Sequence, residues 1–261
     1  MKLYVLDLGK IVMTGDNPVT CSDKNDEAPA IPVSAFLLDT PVGKILFDSG
    51  CHPEAMTGAW PEEMCTNPYV CGEDSTLLKR LGQINIKPEE IRYIVESHLH
   101  LDHAGGIHLF PNAEVYVQED ELAMTMKDWE NNELDIFHMK CDIENWISAK
   151  VKWKPVKSDG LVELCKGVSV IDLKGGHSFG MLAVKADLKS GSVLLVSDAA
   201  YSAFYYGPPA KPSGAIYDEA GYFDAIEKIR ALEKEYNAKV IFGHDMAQFN
   251  ELIKFNEGCY E

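Results

Sequence analysis

No Cys-x-x-Cys pair occurs anywhere in the 261 residues, and the cysteines number seven, an odd count. Together they argue against a disulfide framework and against a zinc-ribbon site. Cys21, Cys51, Cys65, Cys71, Cys141, Cys165 and Cys259 therefore read as free, mostly buried thiols. A redox or metal role stays open only for Cys51, Cys65 and Cys71, which lie close in sequence. Positive charge is scarce. Lys and Arg total 24 against 41 Asp and Glu, a formal charge of −17. Nucleic-acid binding rests largely on Lys and Arg neutralising phosphates, so neither nucleic acid nor an anionic membrane is an expected partner. No run approaches the roughly 18–20 apolar residues that cross a bilayer. Asp7 breaks the first apolar run too early for a secretory segment, so a cytoplasmic protein is expected. Repeats, low-complexity tracts and Pro/Gly/Ser linkers are also missing, which predicts a single domain over residues 1–261.

What is present is a globular composition, 46% hydrophobic and 25% charged. Short apolar runs at 2–8, 33–38 and 44–47, the last after a Pro-Val-Gly turn, predict an antiparallel meander. Residues 51–72 carry Pro, Gly, Trp and Asn without a period and read as a long loop. Helices then interleave with strands. A short helix is predicted at 76–81, capped by Asp74 or Ser75, with a helical turn at 88–91 and a strand at 92–96. A helix follows at 118–126, and 128–150 reads as helix and loop. Strands are expected at 168–173, 192–196 and 239–242. The clearest helix is 220–236, with Phe223, Ile226, Ile229 and Leu232 on one face. Strands first, then strands alternating with helices, predict an α/β (α+β) protein with sheets covered by helices.

Four of these strands run into His or Asp. They lead to Ser97-His98, Gly175-Gly176-His177, Ser197-Asp198 and Gly243-His244-Asp245. Strand ends pointing one way would gather these side chains at one rim of the sheet. In Ser97-His98-Leu99-His100-Leu101-Asp102-His103, the residues His98, His100 and Asp102 alternate and share a side of an extended chain. Ala104-Gly105-Gly106 would let the backbone pass close to whatever these residues hold. Imidazoles and a carboxylate suit zinc or a similar divalent ion. Asp102 and His103 can hardly join His98 and His100 on one tetrahedral ion, and a second ion solves the geometry. His177 would complete one site and His244 the other, bridged by a carboxylate such as Asp198.

The run from Ser97 to Gly106 resembles the H-x-H-x-D-H signature of the metallo-β-lactamase superfamily. Gly176-His177-Ser178, Ser197-Asp198-Ala199-Ala200-Tyr201 and Gly243-His244-Asp245 are similar to its later metal motifs. Asp198 followed by Tyr201 most resembles the N-acyl-homoserine lactonase branch. The resemblance runs from the first strands through Gln248. It implies an αββα sandwich with the metals at one edge between two sheets. It implies His98, His100 and His177 on one zinc, Asp102, His103 and His244 on the other, Asp198 bridging, and Asp48 orienting a ligand histidine. The chain departs from the pattern in extra sequence within 128–150, in Lys174-Gly175 where relatives have Thr-Pro, and in Met181 where many have a second histidine.

The expected enzyme is a dinuclear metal-dependent hydrolase of a small molecule, an N-acyl-homoserine lactone or similar lactone. Two divalent ions would turn a bridging water into the attacking hydroxide. Tyr201 would donate to the developing oxyanion, and Asp102, with a free oxygen, would act as general acid. Met56, Trp60, Met64 and Tyr69, with Phe204, Tyr205 and Tyr206, are candidate walls for an acyl chain. Hydrolysis of another lactone, a thioester or a phosphoester is the alternative; a diiron redox enzyme and a non-catalytic metal-binding sensor stand behind it. Zinc is the expected ion, with iron, manganese and cobalt open. The residues do not fix the oligomer, and a homodimer is among the assemblies open to it.

Overall fold

A computed structural model describes residues 1–13 and 30–261. Cys21 lies outside the described residues, as does the side chain of Cys65. The chain begins with β1 (Lys2–Val12), β2 (Ala30–Thr40) and β3 (Gly43–Phe47), paired antiparallel as the meander predicts. The 51–72 segment is more ordered than expected. It holds two 3-10 turns, Ala55–Thr57 and Glu62–Thr66, and the short strand β4 (Tyr69–Val70), which adds to the edge of β1. Helix α1 (Leu77–Gln83) starts one residue later than predicted. Thr76 occupies its N-cap without a side-chain hydrogen bond, and the Ser75 hydroxyl instead accepts from Arg80.

The strands β5 (Ile91–Val95) and β6 (Glu114–Gln118) continue the first sheet in parallel beside β3. Helices α2 (Glu119–Asn131) and α3 (Lys140–Ala149) follow, and β7 (Lys152–Val156) closes this sheet. The order is β4-β1-β2-β3-β5-β6-β7. The second sheet holds β8 (Leu161–Cys165), β9 (Val168–Lys174), β10 (Met181–Leu188), β11 (Gly191–Ser197) and a final strand after two helices. These helices are the short α4 (Ala203–Tyr206) and the long α5 (Glu219–Tyr236). The strand β12 (Lys239–Phe242) then pairs parallel with β11, and α6 (Met246–Glu251) follows.

Alternation along the strands builds three apolar layers. One lies between the first sheet and α1, α2 and α3, and includes Leu6, Leu46, Ile94, Ile143 and Trp146. The middle layer joins the sheets through Leu3, Val5, Phe36 and Phe47 against Val170, Leu182, Val184 and Leu195. The third packs Ile171, Leu194 and Val196 against α5. This is the αββα arrangement. The α5 stripe is centred on Tyr222, Ala225, Ile226 and Ile229, with Phe223 and Leu232 half-buried at its margins. Each fully buried large side chain contributes about 1.5–3 kcal/mol of transfer free energy.

β9, β11 and β12 run in one direction. Their ends carry His177, Asp198 and His244 to one edge of the second sheet. β5 delivers His98 from the first sheet. The strand ends thus meet not at the rim of a single sheet but at an edge shared by two sheets, as the family resemblance implies.

Candidate metal centre

Seven side chains from four loops meet at this edge. Donor atoms of His98, His100 and His177 lie within 4.8 Å of one another. So do those of Asp102, His103 and His244, and those of His98, His103 and Asp198. Asp198 sits between the first two groups. Its Oδ2 is 3.0 Å from His244 Nε2 and 3.4 Å from His177 Nε2, and its Oδ1 is 3.3 Å from His103 Nε2. Gly243 leaves room for this carboxylate, because a Cβ there would collide with Asp198 Oδ1 and the Ser197 carbonyl carbon. Asp102 Oδ2 lies 3.6 Å from His103 Nε2 and 3.5 Å from His244 Nε2.

The rings are oriented from behind. Ser97 Oγ donates to Asp48 Oδ2 at 3.0 Å and so accepts from His98 Nδ1 at 2.9 Å. His103 Nδ1 donates to Asp48 at 2.9 Å, His177 Nδ1 to the Ala215 carbonyl at 2.7 Å, and His244 Nδ1 to the Pro32 carbonyl at 3.1 Å. Hydrogen bonds at Nδ1 fix the ring and aim Nε2 at the shared centre, the usual second contact of a metal-bound imidazole. His98 Nε2 and His103 Nε2 are buried without a hydrogen-bond partner. His100 turns its Nδ1 toward His177 Nε2 at 3.0 Å. Buried nitrogens aimed at one another and at carboxylates, with no donor to satisfy them, fit a divalent cation.

Charge divides the cluster in two. Burial, reinforced by neighbouring imidazoles, holds His98 and His100 well below the usual histidine range, so they are neutral and ready to donate electrons. Burial also disfavours charge on His103, but Asp102, Asp198 and Asp48 outweigh it and raise its pKa well above 6.5. For His244 burial is likewise outweighed, by Asp198 and Asp102. Burial opposes ionisation of Asp198, yet His244 and His103 lower its pKa below the ordinary value. Cations among these carboxylates would replace protons on the rings, which is how metal affinity becomes pH-dependent.

Asp48 binds both sheets to the centre. It accepts from Ser97 N at 2.7 Å at the end of β5 and from Ser197 Oγ at 3.1 Å at the end of β11. Its φ of 60° and the 47° of Ser197 lie in the left-handed region, a strained backbone of the kind found at functional sites. Gly105 and Gly106 have another role than predicted. A Cβ on Gly105 would lie 2.5 Å from the Cys51 carbonyl carbon, and one on Gly106 would lie 2.5 Å from Ser49 O. They let the ligand loop dock on the chain leaving β3, where Gly105 N donates to Gly50 O at 2.8 Å.

A cleft of about 530 Å³ opens over Asp102, Asp198, His100 and His244. Tyr201 lines it, buried, with its ring 5.1 Å from His177 and 5.2 Å from His244. Burial, with Asp198 and Asp102 adding to it, raises the phenol pKa well above 10, so the hydroxyl keeps its proton. Of the predicted walls, Trp60 and Met64 line this cleft, with Leu101, Ile136 and Phe137 unforeseen. Met56 and Tyr69 face a separate cavity of about 290 Å³ beside Cys51 and Leu77. Tyr206 packs under α5 and donates to Glu233 at 2.6 Å, and Phe204 is 45% exposed beneath the Lys211 ammonium. Cys51, Cys71, Cys141, Cys165 and Cys259 are free thiols.

The family model of the metallo-beta-lactamase superfamily matches residues 28–244. N-acyl homoserine lactonases AiiB of Rhizobium rhizogenes and Agrobacterium fabrum are each 37% identical, over 100% of this chain and 99% of theirs. A Bacillus thuringiensis N-acyl homoserine lactonase is 27% identical over 98% of both chains. Among solved structures, a mutant B. thuringiensis AiiA with N-decanoyl-L-homoserine at its active site is similar at a TM-score of 0.79 and 25% identity, over 100% of this chain and 98% of that one. An N-acyl homoserine lactone hydrolase with N-hexanoyl-L-homoserine at its catalytic metal centre gives the same values.

Proposed function

This chain belongs to the metallo-β-lactamase superfamily, and from that membership and the geometry of the centre we propose that it is a dinuclear metal-dependent lactonase that opens N-acyl-homoserine lactones. The observation that carries the reading is Asp198 set between two histidine groups, with Tyr201 above it in an apolar-walled cleft. Full-length similarity to two lactonases supports the substrate class.

His98, His100 and His177 would hold one ion, Asp102, His103 and His244 the other, and Asp198 would bridge. Zinc is the ion we assign. Two such ions would supply Lewis acidity and an acidified water at neutral pH. The residues do the rest. Tyr201, kept protonated, donates its hydroxyl hydrogen to the carbonyl oxygen as negative charge develops there, an interaction strongest in the transition state. Asp102, with one oxygen left over, would take the proton given up by the attacking water and pass it to the departing alkoxide. Trp60, Met64, Leu101, Ile136 and Phe137 give the acyl chain an apolar wall and limit water at the carbonyl.

The acidic surface supports a small uncharged substrate over nucleic acid or an anionic membrane, and we read the enzyme as cytoplasmic. No helix among the described residues is long and apolar enough to cross a membrane. The apolar layer shared by the two sheets supports a single domain. The test is metal analysis of the purified protein with a hydrolysis panel of lactones, thioesters and phosphoesters, followed by proton release. Two ions per chain and fastest turnover of acyl-homoserine lactones are expected. Absence of turnover by the metal-replete protein would sink the proposal.

A further inference from the structure

Four of the five histidine rings in the centre are anchored by a hydrogen bond at Nδ1. His100 has no such anchor from outside the cluster, because its Nδ1 faces His177 Nε2 at 3.0 Å, within the ligand set itself. Its orientation must come from packing. Two groups supply it, neither belonging to the seven candidate ligands. Phe137 stacks on the His100 ring at 5.0 Å and 26°. His138 meets the ring edge-on at 4.9 Å and 81°, and is itself stacked on Phe179 at 5.2 Å and 5°.

Behind this pair lies a buried network. Glu121 on α2 is fully buried. Its carboxylate accepts from Leu99 N at 2.8 Å, from Ser178 Oγ at 2.8 Å and from Gly180 N at 3.0 Å. His138 Nε2 faces it at 3.4 Å. One carboxylate therefore holds the residue between His98 and His100, the residue after His177, and His138. On the other side Asp135 Oδ1 accepts from Phe137 N at 2.8 Å and His138 N at 3.0 Å, and lies 2.9 Å from His138 Nδ1. Each ring nitrogen of His138 thus faces a carboxylate oxygen, Nδ1 that of Asp135 and Nε2 that of Glu121. Leu101 N donates to the Phe137 carbonyl at 2.9 Å. The residue on either side of His100 is thus tied through its N–H, Leu99 to Glu121 and Leu101 to the 135–138 turn. The same turn presents Ile136 and Phe137 to the cleft.

We infer that His138, clamped by Glu121 and Asp135, is a positioning residue that sets the ring of His100 and with it the His98/His100/His177 site and the Ile136–Phe137 wall of the cleft. This rests on the reading of those three histidines as one metal site. The 135–138 turn, within a stretch that reads only as helix and loop in the sequence, is thereby packed against the centre. A buried polar group that loses its hydrogen-bond partner is left unsatisfied, so His138→Leu removes the partner facing Glu121, while His138→Gln keeps a donor there.

The experiment loads the full-length parent and variants with Co(II) and reads the visible spectrum, the metal content and the rate of release to a chelator, with a thermal melt as a check of folding. His138→Leu is expected to release one of its two ions roughly 10- to 100-fold faster than the parent, the range found when outer partners of metal ligands are removed, and to alter the cobalt bands. His138→Gln is expected to restore most of the retention. Phe137→Leu removes the stack and leaves the Glu121 pair intact. It is expected to alter the same bands, and it decides the question if His138→Leu does not fold. Parent-like spectra and release rates in the folded variants overturn the inference. A parent that holds two ions but opens no lactone sinks the proposed function and leaves this test standing; a parent that holds none overturns both.

Discussion

Replacing Tyr201 by Phe removes one oxygen and leaves the ring between His177 and His244. Packing and ligand geometry should therefore survive, and the loss falls on the transition state. We expect kcat for an acyl-homoserine lactone to drop roughly 10- to 100-fold, toward the low end of what a removed oxyanion donor costs, with two ions still bound and KM little changed. An equal fall in metal content would instead make the residue structural. Asp142 isolates the effect of burial. Its carboxyl is 1% exposed, and burial pushes its pKa up to about 7 from 3.8. Between those values the native state keeps a proton that the unfolded chain has released, so stability falls as pH rises through this window. Asp142→Asn has no charge to desolvate. Relative to the parent it should gain on the order of a few kcal/mol from about pH 4 to about pH 8, with no difference at the acid end. Urea unfolding at several pH values measures it, and a pH-independent difference would refute it.

Among elements, close approach separates two glycines that look alike in sequence. A Cβ at Gly105 would meet backbone of Cys51 and His52, which cannot yield without moving the ligand loop. Gly105→Ala should cost several kcal/mol. Gly82, near the end of α1, has nothing within 4 Å of its missing Cβ, and Gly82→Ala should stabilise by about 0.5–1 kcal/mol. Paired thermal melts check both signs. The same contrast shows what the sequence makes legible. The strands leading to His98, His177, Asp198 and His244 are bounded apolar runs, and their ligands follow in a fixed local order, so strand and ligand could be read together. β10 hides because it is buried along nearly its whole length and shows no alternation. β7 hides because Lys152, Lys154 and Pro155 mark an exposed edge strand. Glu121 and His138 have no local signature at all. Asp135 is local to His138, but the partners of Glu121 that tie it to the centre lie 17 to 59 residues away, and only the assembled layers bring them under His100.

For the whole molecule the deciding quantity is the charge of −17, of which two divalent ions offset only four. A field of that sign acts on charged molecules over a Debye length, about 30 Å in 0.01 M salt and about 8 Å in 0.15 M, and does little to an uncharged one. An N-acyl-homoserine lactone is uncharged, and opening its ring creates a carboxylate. The field should be indifferent to substrate and repel product. We therefore expect kcat/KM for the lactone to change less than about twofold between 0.01 and 0.5 M salt, while inhibition by the ring-opened product strengthens as salt screens the repulsion. An anionic phosphoester would behave oppositely to the lactone, its kcat/KM climbing with salt as approach to the acidic surface becomes easier. Steady-state kinetics across that salt series distinguish the two substrate classes without a variant. A lactone kcat/KM that climbs several-fold with salt, with product inhibition flat, would mean that the charge acts on some step other than product release.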